Sequence, residues 1–429
     1  MILRDAIRSL KSDKSRTFFY WITYFLTSLF IFLFFNIMMS SDKGMEIITS
    51  GKDMAATFIV VVVVVICLMC IQFANNFYVH SKGKDIAVRL ICGATFIKVT
   101  AYLMTQTLII MLLSIPLGIL LGILIIPLMN TMLPSVAAAG ITIGIHADAN
   151  LMVFIILAMI IAWSTAINFS FTYTNAAFAM MNNDGSDTAK EGSAISDFFS
   201  GMPLIVKQIL FGALFIVPII FLFNPNVSRM AFSMLGLLGV WGVINYIIAP
   251  SITTSMDKTN LDKAKILAGN GFLRKDLVIN KSNIMLFIGC AIIQISIIAD
   301  RQGQAFDVML FTFSFILMNC LLAMMIMFKT STEQAGRTKF FRVLNQIGFQ
   351  EDALKAITRN ELIKLYGMVA GISLIYIGAM LAALYLNGEL TIAKIAVMIL
   401  EMLVPVCICF ALNIFIYRKA VLTDLNKPL

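Results

Sequence analysis

Residues 81–130 read SKGKDIAVRLICGATFIKVTAYLMTQTLIIMLLSIPLGILLGILIIPLMN, and the rest of the chain is best interpreted from this stretch. It opens as a short basic segment, passes the helix-breaking Gly93, and then runs from Val99 to Asn130 without a charge. Apolar residues of the basic segment recur at helical spacing, at Ile86, Leu90 and Ile97. This pattern predicts a half-buried helix at the membrane face, able to touch both lipid and a soluble partner.

The composition excludes a soluble protein. Hydrophobic residues make up 60% of the chain and charged residues 13%, with a mean hydropathy of +0.93. A soluble fold of 429 residues would need far more polar surface than this. The net charge of +9 comes from short basic clusters between apolar runs, so it indicates membrane topology and we expect no nucleic-acid partner.

The N-terminal residues predict an interfacial elbow helix rather than a cleaved signal peptide. One apolar helical stripe is formed by Ile2, Leu3, Ala6, Ile7 and Leu10, and a basic face by Arg4, Arg8 and Lys11. The apolar run 17–40 that follows is long enough to cross a hydrocarbon core of roughly 30 Å. We therefore expect the run to be retained as the first transmembrane span.

Apolar runs predict ten membrane spans and an all-α polytopic fold. The predicted spans are 17–40, 54–78, 101–129, 149–175, 207–224, 230–249, 284–299, 305–329, 364–387 and 391–417. With the N-terminus inside, 27 of the 32 Lys and Arg residues fall on the cytoplasmic side, as the positive-inside rule requires. Both termini are then cytoplasmic.

A second copy of the opening pattern follows at a fixed distance. Arg337, Lys339 and Gly348 lie 255 residues after Lys82, Lys84 and Gly93, and Glu361 lies equally far after Gln106. The segment 272–283 likewise predicts a second elbow helix before the seventh span. These matches indicate two degenerate repeats of the same orientation, each of one plus three spans, joined by two linking spans.

The basic segment and its turn resemble the signature of the FtsX-like (MacB-type) ABC permeases, in which they dock the ATPase. The residues that carry the resemblance are Lys84, Asp85, Ile86, Arg89, Gly93, Ala94 and Thr95, followed by Gln106 where the family often has Glu. An ordinary basic loop before a membrane helix is the alternative interpretation. The resemblance implies these ATPase-coupling residues: Lys82, Lys84, Asp85, Arg89, Gly93, Ala94, Thr95, Arg337, Lys339 and Gly348.

The ten-helix layout resembles the bacitracin and lantibiotic resistance permeases, but the connection 300–305 leaves no room for their large extracellular domain. The predicted domains are an N-terminal repeat (1–175), a cytoplasmic linker (176–206), linking spans with a cytoplasmic segment (207–271) and a C-terminal repeat (272–429). The resemblance implies a separate, homodimeric ATPase that binds ATP and Mg, and a membrane sensor histidine kinase as a further partner.

No catalytic motif is present, so we do not expect an enzyme. The chain lacks G-x-x-x-x-G-K-[ST], G-x-S-x-G and H-E-x-x-H, and its seven cysteines lie within or beside apolar runs. His146 and Asp148 form one H-x-D pair, which fits a solvated loop better than a metal site. We predict no metal and no cofactor on this chain.

Glu401 stands out inside the last span, where a carboxylate costs roughly 2.5–3.5 kcal/mol on insertion scales. Lys394 lies seven residues earlier, on nearly the same helical face. The two residues are candidates for a substrate path, and a structural hydrogen bond to a neighbouring helix is the equally weighted alternative.

The sequence therefore predicts the permease subunit of an ABC transporter in the bacterial cytoplasmic membrane. Its expected substrates are amphipathic peptides or lipid-linked antimicrobials that enter from the bilayer, because no long polar loop exists to recruit a hydrophilic one. Two alternatives remain open: a non-transporting, FtsX-like mechanotransmitter, and an ion-driven secondary transporter, which would predict inverted repeats.

Overall fold

The structure, a computed structural model, describes residues 2–12, 14–40, 54–132, 142–174, 201–224, 229–257, 264–301 and 304–425. All regular structure in these ranges is helical. The helices are α1 (Ile2–Ser12), α2 (Lys14–Met39), α3 (Met54–Ser81), α4 (Gly83–Ile91), α5 (Phe96–Met132), α6 (Ala147–Thr174), α7 (Leu204–Leu222), α8 (Arg229–Gly242), α9 (Ala249–Asp257), α10 (Ala264–Asp300), α11 (Ala305–Gly336), α12 (Thr338–Gln346), α13 (Glu351–Leu386) and α14 (Ile392–Leu425). A π-helical turn, Val243–Ile248, joins α8 to α9.

The described helices confirm the all-α fold class and the prediction of ten spans. Ten segments are long and apolar enough to cross a membrane, among them α7 and the continuous run through α8, the π-helical turn and α9. The longest helices, α5 and α10, have 37 residues each, which corresponds to about 55 Å. Because a hydrocarbon core is roughly 30 Å thick, the ends of these helices extend well beyond it.

The first compact unit comprises residues 1–183 and 300–321. Inside it, α2 packs against α3, α5 and α6, and buried polar side chains join these four helices. The Tyr24 hydroxyl lies 3.1 Å from Ser164 Oγ, and Asn75 donates to Asn168 Oδ1 at 3.0 Å. Polar contacts of this kind stabilise helix association where lipid supplies no hydrophobic driving force.

Two glycines let α5 approach α2 closely. A Cβ at Gly118 would collide with Ser28, and one at Gly122 would meet the ring of Phe32 at 2.5 Å. Small residues at such positions bring helix backbones together in membranes. Movement of α5 therefore cannot be absorbed by loose packing against α2.

The second compact unit comprises residues 184–299 and 322–429. Here α7 packs along α8, and Phe211, Trp241 and Tyr246 form an aromatic cluster at the π-helical turn. Farther along the chain, α14 packs against α13 and α12, and Asn413 joins Ser331 and Tyr366 through its side-chain amide.

The predicted elbow over 272–283 is not a separate helix, which corrects the sequence expectation. These residues form part of the uninterrupted helix α10. Their polar side chains Asp276 and Asn280 are fully buried, and Asn280 donates to Thr330 Oγ1 at 3.0 Å. A polar face that finds partners inside the protein has no reason to lie on the membrane surface.

Candidate functional site

The short helix α4 ends in a turn with a fixed hydrogen-bond pattern. The amide of Gly93 donates to Leu90 O and the amide of Ala94 donates to Arg89 O, both at 3.0 Å. Gly93 has φ +87°, a left-handed conformation that glycine adopts without a steric penalty. The turn therefore sets the angle at which α5 starts at Phe96.

Large apolar side chains are exposed on both sides of this turn. We call the residues Val88, Ile91, Phe96, Ile97 and Lys98 the α4 surface, and its four apolar members are between 51% and 74% exposed. The charges of Asp85, Arg89 and Lys98 place this end of α5 outside the hydrocarbon core. An apolar cluster in that position is typical of a protein interaction site.

The opposite side of α4 is held against its own unit. Ile86 is fully buried, and the Lys82 ammonium donates to the backbone oxygen of Ser9 in α1 at 3.4 Å. The Arg89 guanidinium carbon lies 3.9 Å from the centre of the Tyr102 ring in α5. α4 is thus attached to both α1 and α5 while its outer side stays open.

The predicted coupling residues of the first copy fall into two groups. Asp85, Gly93 and Thr95 are exposed and Arg89 and Ala94 are half-buried, so they border the α4 surface. The side chain of Lys84 lies outside the described residues.

The second group is buried and contains Lys82, which is only 1% exposed and cannot present its charge to a partner. The expectation that Ile97 shares the buried stripe of Ile86 is wrong, since the turn at Gly93 ends α4 before Ile97, which is 74% exposed.

The second copy reproduces the backbone of the first. Helix α12 has the same length as α4, nine residues, and both of its ends are shifted by 255 positions. Helix α13 likewise starts 255 residues after α5. Gly348 has φ +107°, its amide donates to Asn345 O, and the amide of Phe349 donates to Leu344 O, both within 3.1 Å. The turn at Gly348 therefore has the same hydrogen-bond pattern as the turn at Gly93.

The buried side of the second copy is ionic. The Arg337 guanidinium bonds to both carboxylate oxygens of Asp276 and donates to Glu361 Oε1 at 2.6 Å. Tyr417 donates to Glu361 Oε2 at 3.3 Å, and the Phe272 ring centre lies 4.7 Å from the guanidinium carbon. We call Arg337, Asp276, Glu361 and Tyr417 the ion network.

Burial opposes the charge of the guanidinium, but Asp276 and Glu361 outweigh it and raise the pKa of Arg337 above its ordinary value. The cation is therefore permanent, and it connects α10, α13 and the start of α12. A side chain held in this way is unavailable to an outside partner. The coupling role predicted for Arg337 stays a prediction.

Sequence reasoning missed Asp276 and Tyr417 as members of this network. Asp276 lies 61 residues before Arg337, and nothing local indicates that the two meet. The available signal was the carboxylate of Glu361 just before a long apolar run, because a carboxylate that becomes buried needs a cation as its partner.

The exposed side of the second copy differs from the α4 surface. Val343 in α12 and Ile347 directly after it are 49% and 71% exposed, but the first turn of α13 carries the exposed carboxylates Glu351 and Asp352. These carboxylates stand where α5 has Phe96 and Ile97. The side chain of Lys339, also predicted to contact the ATPase, lies outside the described residues.

The two substrate-path candidates lie on α14 at different exposures. Lys394 is exposed in the first turn of the helix, whereas Glu401 is half-buried and its Oε2 atom has no hydrogen-bond partner. Next to Glu401, α14 presents an open apolar groove whose lining includes Leu400, Val404 and Ile408. One oxygen of the Glu401 carboxylate is thus unpaired on a helix whose neighbouring side is apolar.

No cluster of three or more His, Cys, Asp or Glu side chains suited to a metal occurs among the described residues. His146 instead attaches its segment to α2. Its backbone amide donates to Asn36 Oδ1 at 3.0 Å, and its ring nitrogen Nε2 lies 3.3 Å from Ser40 Oγ. The described part of this segment is therefore attached to the end of α2 and is not a free loop.

Comparison with known proteins identifies one family match. Residues 57–174 match the family described as FtsX-like permease C-terminal, a region that includes α4, its turn, α5 and α6. No curated protein sequence matches the chain at a significant level. Residues 57–174 are thus similar to an FtsX-like permease domain, which supports a membrane permease of an ABC-type system with an ATPase partner.

Proposed function

We propose that this chain is the membrane-spanning permease subunit of an ABC transporter. A separate, homodimeric ATPase, which binds ATP and Mg, docks on the α4 surface and drives export or membrane removal of amphipathic peptides or lipid-linked antimicrobials. The observation that carries the proposal is the exposed apolar cluster at the Gly93 turn, within the region that matches the permease family.

The geometry of α4 suits it to transmit movement. Its inner side is attached to α1 and α5, and α5 continues for 37 residues without a helix break. Because Gly118 and Gly122 let α5 pack tightly on α2, a push at the turn displaces helices in the membrane instead of bending a loop. ATP-driven movement at the cytoplasmic face can reach the bilayer by this route.

The surroundings of Glu401 support the proposed substrate class. An apolar groove open along α14 offers a lipophilic chain a place to lie, and a carboxylate at its side attracts a cationic group. Membrane-active peptides combine these two features. Entry from the bilayer needs no external domain, in agreement with the short connection between α10 and α11.

ATP turnover tests this substrate class. In proteoliposomes that contain the permease and the ATPase that co-purifies with it, cationic amphipathic peptides are expected to raise ATP turnover. Glu401→Gln should weaken this response without abolishing basal turnover, whereas the exposed Glu351→Gln should leave it unchanged. If peptides change neither turnover nor cell survival, the chain is better described as a mechanotransmitter.

We also propose that the chain lies in the bacterial cytoplasmic membrane with both termini inside, and that a membrane sensor histidine kinase is a further partner. The division of Lys and Arg residues supports the orientation. An impermeant maleimide should label Asn387→Cys in a cysteine-free variant from outside intact cells. The exposed native Cys92, kept as the single cysteine, should react only after permeabilisation.

A further inference from the structure

Helix α1 has three distinct sides, which follow from its 100° turn per residue. Ala6, fully buried, marks the side that packs on α5. Asp5 and Ser9 mark a second side, which faces α4: Asp5 Oδ2 lies 4.0 Å from Arg89 Nη1, and the Ser9 oxygen accepts from Lys82. The third side remains uncovered.

The uncovered side combines apolar and basic residues. Leu3 and Ile7 are 58% and 40% exposed, and the basic side chains next to them on the helix surface are all exposed as well. These basic side chains are Arg4, Arg8 and Lys11. An apolar strip beside a basic strip is typical of helices that lie in the headgroup region of a membrane.

We infer that α1 binds the anionic phospholipid surface of the inner leaflet and through this contact fixes the position of α4. Charge complementarity identifies the occupant: the exposed side offers three cations, while the only carboxylate of α1, Asp5, lies on the side that faces Arg89. Each basic residue near an anionic surface strengthens binding about fivefold, so the three together contribute on the order of a hundredfold.

The contacts of α1 connect the lipid surface to the docking site. Lys82 is buried and bonds α1 to the first residues of α4, so α1 held on the membrane limits the movement of α4. This step rests on the proposed docking role of α4. Anionic lipid would then regulate how strongly ATPase movement is transmitted, a property beyond transport itself.

Hydrogen exchange of the full-length chain tests lipid binding without the ATPase. In phosphatidylcholine nanodiscs that contain phosphatidylglycerol, amides of α1 should exchange at least tenfold more slowly than in pure phosphatidylcholine. At ~1 M salt, where the screening length is about 3 Å, the difference should vanish. If the wild-type chain exchanges equally in both lipids at low salt, the inference is overturned.

Matched variants assign the effect to α1. The triple variant Arg4→Gln, Arg8→Gln, Lys11→Gln should lose the lipid response, whereas neutralising three other exposed arginines, Arg274, Arg359 and Arg418, should preserve it. A lipid response that survives in the α1 variant would contradict the assignment, as would binding of a soluble acidic protein in place of lipid.

Lys82→Met separates lipid binding by α1 from the effect of that binding on α4. This variant should keep the lipid response of α1 but lose the slower exchange that anionic lipid confers on α4. Equal lipid responses of α4 in wild type and variant would refute the connection. If ATPase docking on α4 fails while both lipid responses persist, the proposed function is wrong and the lipid site stands.

Discussion

The two turns at Gly93 and Gly348 have the same backbone conformation, but the side chains around them differ in polarity and charge. Helix length, left-handed glycine and hydrogen bonds repeat at an offset of 255 residues. The first copy exposes an apolar surface and buries the neutral Gln106, whose Oε1 atom accepts from Tyr78 at 3.0 Å. At the equivalent of Gln106, the second copy buries Glu361 on Arg337.

This difference separates what the backbone determines from what the side chains determine. The glycine and the helix ends specify the turn, but the turn alone does not make a docking site. The first copy has apolar residues where α5 starts, while the second has carboxylates, which suit the positive end of a helix dipole and not an apolar contact. We interpret the first copy as the docking element, and the second as a structural element in which the ion network holds its helices together.

Removal of Arg337 is expected to have the largest effect on stability. Arg337→Met leaves Asp276 and Glu361 as buried, uncompensated carboxylates, which should lower the free energy of unfolding by about 3–5 kcal/mol. Unfolding by SDS titration in mixed micelles measures this change.

A charge-matched variant provides the control. Arg337→Met combined with Asp276→Asn and Glu361→Gln removes the ionic groups together and should recover most of the lost stability. If the single Arg337→Met variant is as stable as the wild-type chain, the ion network does not stabilise the fold.

Lys82→Met, at the equivalent position of the first copy, should lower the free energy of unfolding by less than Arg337→Met does. The Lys82 ammonium donates to the backbone oxygen of Ser9, so its removal leaves this acceptor unpaired and lowers stability by about 1–3 kcal/mol. The same SDS titration compares the two variants. A loss equal to that of Arg337→Met would remove the distinction between the buried side of the first copy and the ion network of the second.

Gly93→Ala and Gly348→Ala should lower the free energy of unfolding by small and similar amounts. A Cβ at Gly93 or Gly348 meets nothing within 4 Å, so only the left-handed backbone is strained, at about 1–2 kcal/mol for each site. Gly367→Ala is the control, because its Cβ also meets nothing and its φ is not left-handed. A destabilised Gly367→Ala or an unaffected Gly93→Ala would contradict this account.

The sequence predicted the features that depend on neighbouring residues. The helix break at Gly93 and the number of ten spans follow from local composition, and the described residues confirm both. The arrangement of two repeats stays a prediction. The burial of Lys82 and the ion network could not be predicted, because they depend on contacts with Ser9 and Asp276 that only the packed helices create.

The elbow expected over 272–283 failed for a related physical reason. Its amphipathic pattern is compatible with either a membrane surface or a protein interior, and helical periodicity alone does not distinguish them. In the structure Asp276 and Asn280 are paired within the protein, so the segment continues as α10.

A matched pair of surface variants tests the distinction between the copies most directly. Val88 and Val343 occupy equivalent positions in α4 and α12 and are 55% and 49% exposed, so glutamate at either should change stability by no more than about 0.5 kcal/mol. The measurement is the fraction of ATPase that co-purifies with each variant. We predict that Val88→Glu loses most of the ATPase and Val343→Glu keeps it; equal retention, or a greater loss with Val343→Glu, would contradict docking on the α4 surface.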